Sequence, residues 1–362
     1  MKYVALCSYF LWPYATGGER TVVDILAGLQ RAGHDVLLRY AIPRGLPEHA
    51  FQTFCSVLQR FELPLDECSR QRVSYLAGEV PVEALAVMTS PPAWIGDWLE
   101  EVAPDVVIVQ AKDVMLLPSL AAIWRGSGIV LLQETDALQR LATMLTPGAL
   151  SRIRHSSLAM AASSLFLQGV AAAAGFESRV LYSALVLPPG GDAVCADAPI
   201  TAFGTGHDKG VDAVLTLAAR LRGSRFRVVI GWNDLVPKER PPNLEFSPFR
   251  LNSSCYHQSS SLVLVPSRCQ EGFGRVAHEA MAAGRVPVVS DRGALPEVAG
   301  SEGVVLPVPD TADELARWES AIHGLADVQG LRSRMHGCRR RAEHLTEESR
   351  RQFADLFGAA YS

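Results

Sequence analysis

Short apolar runs alternate along the chain with stretches in which apolar residues recur at helical spacing. Runs of this kind, separated by helices, are typical of strands in parallel sheets that are covered on both faces. The pattern therefore predicts an α/β protein built from two Rossmann-like sheets. The predicted strands cover residues 3–8, 36–40, 105–110, 128–133 and 158–162 in the first half, and residues 200–204, 226–231, 262–266, 286–290 and 304–306 in the second.

The length of 362 residues, 48% of them hydrophobic, is enough for two domains with separate cores. A stretch rich in proline and glycine at residues 187–192 is the predicted linker. We therefore place an N-terminal domain at residues 1–188 and a C-terminal domain at residues 195–345. The last predicted helix, residues 346–362, has apolar positions at helical spacing that need a surface to cover, and we expect it to pack on the first domain.

Charge and cysteine usage exclude several classes of protein. A net charge of −4 lacks the clustered basic excess of a nucleic-acid-binding protein. The seven cysteines include no Cys-x-x-Cys pair, which favours reduced thiols and a cytoplasmic protein over a disulfide framework or a zinc site. The longest apolar stretch, residues 158–176, is interrupted by polar residues and is interpreted as a strand followed by a helix that stops at Gly175, so no membrane span is expected.

Glu271 and Glu279 are the most informative pair in the chain. They are separated by seven residues, with Gly272 and Gly274 between them, directly after the apolar run at residues 262–266. Glycines at the start of a helix let backbone amides approach a phosphate, and each carboxylate can accept hydrogen bonds from hydroxyl groups. This arrangement is suited to holding a nucleotide and a sugar together.

The segment at residues 266–297 resembles the nucleotide-sugar signature of glycosyltransferase family 4. It contains Pro-Ser-Arg, the two glutamates, Glu-Ala-Met-Ala-x-Gly and Pro-Val-Val in one order. The resemblance implies a retaining enzyme of GT-B architecture, in which two Rossmann-like domains face a cleft. It also implies that Glu271 binds the hydroxyls of the donor sugar and that Glu279 binds the ribose. The donor-binding residues expected on this basis are Gly17, Gly18, Lys209, Arg268, Gly272, Phe273, Gly274, Arg275 and Glu279.

Gly17 and Gly18 open a predicted helix after the first strand, and Gly33 ends it. In the resembled family, a Gly-Gly loop at this place contacts the donor. Lys209 and Gly210 match the family's Lys-Gly pair, in which the lysine faces the donor diphosphate.

The arginine that usually precedes that lysine is missing from this chain. Three nearby cations could replace it: His207 when protonated, Arg268 or Arg275. We take Glu271, Lys209 and His207 as catalytic candidates, together with Glu134 from the first domain.

On the acceptor side, the family commonly has histidines at the strand ends of the first domain, whereas this chain has Lys112, Asp113, Glu134 and Asp136 there. Ligands of open α/β sheets bind at such ends. Asp113 and Asp136 could equally be helix caps. The segments near residues 63–67 and 90–94 are interpreted as loops, the second with a possible aromatic lid. An unusual acceptor is the natural inference, and we expect it to be a small molecule.

The predicted function is transfer of a sugar from a nucleoside diphosphate sugar, of UDP or GDP type, with retention of configuration. The nucleotide sugar is a substrate, so no cofactor is expected, and no metal is expected because neither an Asp-x-Asp motif nor a His/Cys ligand set is present. Three alternatives stay open. They are a nucleotide-sugar 2-epimerase, a degenerate binding partner without activity, and a dinucleotide-binding protein that uses Gly272, Gly274, Ala277 and Asp291.

Overall fold

The computed structural model describes residues 1–8, 16–43, 45–87, 91–190, 197–231, 235–325 and 328–361. The chain divides into two compact units. The first unit consists of Met1–Leu181 with Arg350–Ser362, and the second of Tyr182–Ser349. This boundary comes before the predicted linker at residues 187–192, of which residues 191 and 192 lie outside the described ranges.

The first unit is built on one sheet that, in the described residues, has nine strands in the order β3-β4-β5-β2-β1-β6-β7-β8-β9. Neighbouring strands from β5 to β9 run parallel, whereas β3, β4 and β5 form an antiparallel meander at one edge. Strand order reverses between β1 and β6. The strands are β1 Lys2–Cys7, β2 Asp35–Pro43, β3 Leu65–Cys68, β4 Arg72–Ala77, β5 Val80–Val87, β6 Val106–Gln110, β7 Ser127–Leu132, β8 Leu158–Ala162 and β9 Ser178–Val180.

Helices connect these strands and cover the sheet. The described helices of this unit are α1 Gly17–Arg31, α2 Glu48–Arg60, α3 Pro91–Val102, α4 Leu116–Ile123, α5 Ala137–Met144, α6 Pro147–Arg154 and α7 Leu165–Ala173. Thr16 caps α1 by accepting a hydrogen bond from the Gly18 amide, and Gly33 follows the helix with a φ of +84°. The predicted helix between the Gly-Gly pair and Gly33 is thus confirmed.

The second unit has a parallel sheet, described as six strands in the order β12-β11-β10-β13-β14-β15. Here the strand order reverses between β10 and β13. The strands are β10 Ile200–Phe203, β11 Phe226–Val229, β12 Leu244–Ser247, β13 Leu262–Val265, β14 Val286–Ser290 and β15 Val304–Leu306. The helices are α8 Val211–Arg220, α9 Ser254–Gln258, α10 Arg275–Ala282, α11 Leu295–Ala299, α12 Ala312–Gly324 and α13 Val328–Phe357, with a short 3-10 helix at His207–Lys209.

The expected fold class is confirmed, since both α/β units are built on sheets whose central strands run parallel. The predictions for residues 63–67 and 90–94 were wrong in part. Leu65–Cys68 forms strand β3 instead of a loop. Trp94 belongs to helix α3 and is buried, with its ring 4.5 Å from that of Trp98. A tryptophan in the core cannot serve as a lid, and Ser90 lies outside the described residues.

The expectation of reduced thiols was wrong for one pair. Cys55 of α2 and Cys68 of β3 are joined as a disulfide. Sequence spacing gave no sign of this pair, because its two cysteines meet only when β3 folds back beside α2. Among the described helices, none combines the length and hydropathy of a membrane-spanning segment.

The end of α13 belongs to the first unit, as the fold prediction required. Phe353 is fully buried, and its ring lies 4.7 Å from that of Phe357 and 5.1 Å from that of Tyr361. The Tyr361 hydroxyl donates to the Asp24 carbonyl in α1 at 3.2 Å. Gly28, also in α1, has no room for a Cβ because the Tyr361 ring occupies that space. This aromatic cluster attaches the C-terminus to the first unit.

Replacing Phe353 with alanine should destabilise the first unit by about 3–5 kcal/mol, because it removes a buried ring and leaves a cavity. Hydrogen exchange followed by mass spectrometry should show faster exchange in α1 and β1, with β13 and β14 unchanged. The exposed Asp355→Ala change on the same helix is the control. Equal exchange in both variants would contradict the packing described.

The earlier part of α13 is held on the second unit through His278 of α10. This histidine is buried, and its Nε2 lies 3.1 Å from the Thr346 hydroxyl and 3.4 Å from the Ala342 carbonyl. Burial lowers the pKa of His278 to about 4. The folded state therefore keeps this imidazole neutral at pH values where an unfolded chain would protonate it.

The second unit should lose stability as the pH falls from about 6.5 towards 4. A histidine with a depressed folded pKa contributes its full stability above its unfolded pKa of about 6.5, and the contribution is lost on acidification. Its upper bound is about 3 kcal/mol. Urea unfolding at pH 7.5 and 5.0, compared between the parent and His278→Gln, checks this. A variant with the same pH dependence as the parent would contradict the assignment.

Candidate functional site

Lys209 and Glu271 meet where the strand order of the second sheet reverses. Lys209 follows β10 and Glu271 follows β13, and these strands are neighbours in the sheet. The Nζ of Lys209 lies 2.8 Å from Oε1 of Glu271, which also accepts a hydrogen bond from the Ser267 hydroxyl at 2.6 Å. In open α/β sheets, ligands bind in the crevice at this position.

Charge attraction decides the protonation state of Lys209. Burial by itself would lower its pKa, but the attraction of Glu271 outweighs burial and raises the pKa above the ordinary value for lysine. The ammonium group therefore stays charged at neutral pH. The Cys269 thiol lies 3.6 Å from the same Nζ.

Close packing of three loops fixes this pair. Gly210 has a φ of +76°, and a Cβ there would overlap the carbonyl of Pro266. The Arg268 amide donates to the Asp208 carbonyl at 2.8 Å, which joins the Lys209 loop to the Glu271 loop. Any side chain on Gly293 would collide with the Glu271 backbone, to which Ala294 donates at 2.9 Å. Sequence reasoning did not select Gly293, although the motif Asp-Arg-Gly-Ala-Leu-Pro directly after β14 contains it.

Glu279 lies on α10 and is held by donors from another element. Its Oε2 accepts from the Ser253 hydroxyl at 3.0 Å and lies 3.2 Å from Nε2 of His257. Its Oε1 lies 3.5 Å from Nε of Arg275, one helical turn earlier. Ser253 and His257, on or next to α9, are residues that sequence reasoning did not select, because a histidine in a serine-rich stretch carries no motif.

Among residues 272–274, Phe273 could contact a donor only through its backbone. The Phe273 side chain is buried, with ring centroids 5.7 Å from Tyr182 and 6.1 Å from His278. Its side chain therefore belongs to the core of the second unit, which corrects the sequence-based assignment. Gly274 has a φ of +93° and immediately precedes α10, so the turn favours glycine there.

The three candidate replacements for the missing arginine differ in their surroundings. Arg268 is bound at 2.7 and 2.8 Å to Asp212 and at 2.6 Å to Asp310, which ties it to the scaffold. His207 is largely exposed, with Nδ1 3.5 Å from Asp212. Arg275 pairs with Glu279. His207 is thus the side chain that can most readily turn to a ligand.

In the first unit, charged residues cluster at the ends of β6 and β7. Lys112 forms ion pairs with the buried Glu19 of α1 and, at 3.1 Å, with Glu134. Arg140 binds Glu134 at 2.5 Å and Asp136 at 3.1 Å. The positive neighbours lower the pKa of Glu134 even though burial opposes them. Sequence reasoning did not select Glu19 as a site residue.

Polar side chains at the ends of β6 and β7 also contact the start of α1. The Gln110 amide donates to the Gln133 side chain at 2.8 Å, and Gln133 donates to the Gly18 carbonyl at 3.2 Å. A Cβ at Gly18 would lie 3.3 Å from Oε1 of Gln133. The helix start therefore packs directly on polar side chains at the sheet edge.

Asp113 and Asp136, both proposed as acceptor-side residues, have different environments. Asp113 is buried and accepts from the Ser8 amide at 2.7 Å, the Ser8 hydroxyl at 2.5 Å and the Leu116 amide at 3.0 Å. Its acceptor role is corrected to a structural one, since its oxygens join β1 to the start of α4. Asp136 makes no side-chain cap on α5 and pairs with Arg140 instead.

Known proteins resemble this chain in one part of its sequence and in its fold. The family model described as glycosyl transferases group 1 matches residues 200–322. No curated protein matches the chain in sequence. Similar solved structures include sucrose-phosphate synthase from Thermosynechococcus elongatus, with 15% identity, a TM-score of 0.70 and coverage of 99% of this chain and 100% of that one. The chain has the GT-B fold.

Two further similar structures hold nucleotide ligands. HepE from Anabaena, in complex with UDP-glucose, is 16% identical with a TM-score of 0.70, and the match covers 99% of each chain. The catalytic domain of starch synthase IV from Arabidopsis thaliana, bound to ADP and acarbose, is 10% identical with a TM-score of 0.63 and coverage of 98% and 99%. These proteins share the fold of this chain, and the family match over residues 200–322 is the finding that supports a glycosyltransferase.

Replacing Gly293 with alanine should loosen the Glu271 loop, since the new Cβ cannot fit against the Glu271 backbone. The expected cost is about 1–3 kcal/mol, with faster hydrogen exchange over residues 267–274. Gly324→Ala is the matched control in the same unit, because nothing lies within 4 Å of a Cβ there. If the two variants exchange alike, Gly293 does not hold this loop.

Proposed function

We propose that the protein is a glycosyltransferase that transfers a sugar from a nucleoside diphosphate sugar to an acceptor. The observation that carries this proposal is the Lys209–Glu271 pair at the reversal point of the second sheet, with Glu279 on the adjoining helix. All three residues lie within the region that matches the family model. The nucleotide sugar serves as a substrate.

The second unit offers complementary groups for the parts of such a donor. The ammonium of Lys209 is a cation for the diphosphate, and the start of α10 presents backbone amides that favour an anion. Glu279 would accept hydrogen bonds from the ribose hydroxyls. Among the described residues, no donor reaches Oε2 of Glu271, so that oxygen is available for a hydroxyl of the sugar.

The chemistry follows from where charge develops. When the bond between the anomeric carbon and the diphosphate oxygen breaks, negative charge grows on the leaving diphosphate. A preorganised cation at that position stabilises the transition state more than the ground state. Glu271 both holds Lys209 in place and orients the sugar. A protonated His207 would add a second cation, and the family resemblance supports retention of configuration.

Lys112 and Glu134 of the first unit are the acceptor-side residues that this proposal keeps, with Asp136 beside them. Glu134 is 37% exposed, whereas Glu19 is 1% exposed. Glu134 is therefore the carboxylate that an acceptor hydroxyl or amine can reach. Both signs of charge at this edge fit a polar acceptor of small size.

The remaining alternatives differ from transfer in their products. A nucleotide-sugar 2-epimerase would use the same donor site but need no acceptor, and a degenerate binding partner would turn over nothing. The intact Lys209–Glu271 pair favours an enzyme, since a pure binding site has no need to hold a cation against a leaving group. A UDP or GDP donor is the expected choice, and a thermal-shift screen of UDP, GDP, ADP and TDP tests it, because a ligand that binds the native state raises its stability.

Replacing each of the two glutamates should affect a different property of the protein. Glu279→Ala should weaken nucleoside diphosphate affinity, whereas Glu271→Ala should chiefly lower turnover. Calorimetry for binding and initial rates of sugar release or transfer measure the two effects. The exposed Asp313→Ala is the control in the same unit. Parent-like binding and rates in both glutamate variants would remove the basis of the proposed site.

Lys209→Ala should lower the rate by about 10²–10³, the usual scale for losing one preorganised contact to developing charge. If His207 supplies the second cation, His207→Arg should retain activity and His207→Ala should lower it. Initial rates of the parent, His207→Arg and His207→Ala decide this. A parent-like rate in His207→Ala would assign the role to another group.

A further inference from the structure

His257 lies behind Glu279 and is fully buried. Its Nε2 lies 3.2 Å from Oε2 of Glu279, and its ring stacks on Phe203 with centroids 4.6 Å apart and an interplanar angle of 20°. Among the described residues, its Nδ1 is buried without a hydrogen-bond partner. A buried polar atom without a partner is uncommon and calls for an explanation.

The arrangement fixes the tautomer of His257. An ionised carboxylate only accepts hydrogen bonds, so Nε2 must carry the proton that points to Glu279. Nδ1 then keeps its lone pair and presents no N–H to its apolar surroundings. The opposite tautomer would bury an unpaired N–H and set a lone pair against the carboxylate, and both changes are unfavourable.

The backbone of α9 is held rigidly at this point. Arg285, buried beside it, donates from Nε to the His257 carbonyl at 3.3 Å and from Nη2 to the Gln258 carbonyl at 2.5 Å. The Ser253 hydroxyl donates to the same Glu279 oxygen from the start of the helix. The orientation of the Glu279 carboxylate is therefore set by an element other than its own helix.

We propose that His257 is a positioning residue for nucleotide recognition, whose Nε2–H holds Glu279 in the orientation that accepts the ribose hydroxyls. This inference rests on the proposed function, which assigns Glu279 to the ribose. His257 itself does not touch the ligand. Its effect is confined to the part of the affinity that comes from the ribose hydroxyls.

The variants His257→Gln and His257→Asn form a matched pair. The amide nitrogen of glutamine reproduces the reach of Nε2, whereas that of asparagine falls near Nδ1 and cannot donate to Glu279. Each protein is titrated by calorimetry with UDP, ADP and GDP, and then with the 2′,3′-dideoxy form of the diphosphate that binds the parent most tightly. The measured quantity is the ratio of the affinity for the ordinary diphosphate to the affinity for its 2′,3′-dideoxy form. A general weakening of the fold or of the phosphate site lowers both affinities and leaves the ratio unchanged.

The parent should prefer the ribose form by about 10-fold or more, the scale of a hydrogen bond to a charged group. His257→Gln should keep most of this preference, and His257→Asn should lose it, as should Glu279→Gln in large part. If His257→Asn kept the affinity ratio of the parent, the role of His257 would be contradicted, while the proposed function would stand. A parent that binds none of the three diphosphates would overturn the proposed function and this inference with it.

A second measurement on the parent protein avoids any dependence on how the variants fold. Nitrogen NMR of protein labelled with ¹⁵N-histidine distinguishes the two neutral tautomers through the shifts of Nδ1 and Nε2. The inference requires a protonated Nε2 and an unprotonated Nδ1 at His257 at neutral pH. A protonated Nδ1 with a bare Nε2 would overturn it.

Discussion

The ion pair between Lys209 and Glu271 is the constraint on which the candidate site depends. It brings a cation and a carboxylate together at the crevice between β10 and β13, where an open parallel sheet presents loops to a ligand. Both charges are partly withdrawn from water, and pairing offsets part of that cost, so each partner stabilises the other. The glycines at positions 210 and 293 follow from this constraint, because only a bare Cα lets the supporting loops approach closely enough.

A second layer of side chains supports the same site. His257 and Ser253 hold Glu279 from α9, and Arg285 holds α9 itself. Precise orientation of a binding group depends on such supporting contacts. The second unit thus combines a fixed cation, Lys209, with two carboxylates, Glu271 and Glu279, each positioned by neighbours within the unit.

The sequence predicted much of this because its strongest signals are local. Residues 158–162 and 286–290 were predicted as strands with the bounds that the structure shows, since continuous apolar runs between turns leave little choice. The meander β3–β5 was missed, because short half-exposed strands at a sheet edge have weak patterns. Asp113, the Cys55–Cys68 pair and His257 depend on partners far away in sequence, and spacing alone carries no information about them.

The most direct test of the central claim is phosphorus NMR of a nucleoside diphosphate bound to the protein. Our account predicts that the β-phosphate resonance of UDP, ADP or GDP shifts on binding to the parent and that Lys209→Met removes most of this shift while the protein stays folded. A β-phosphate shift that is the same in Lys209→Met would contradict the account, because the diphosphate would then lie away from the Lys209–Glu271 pair.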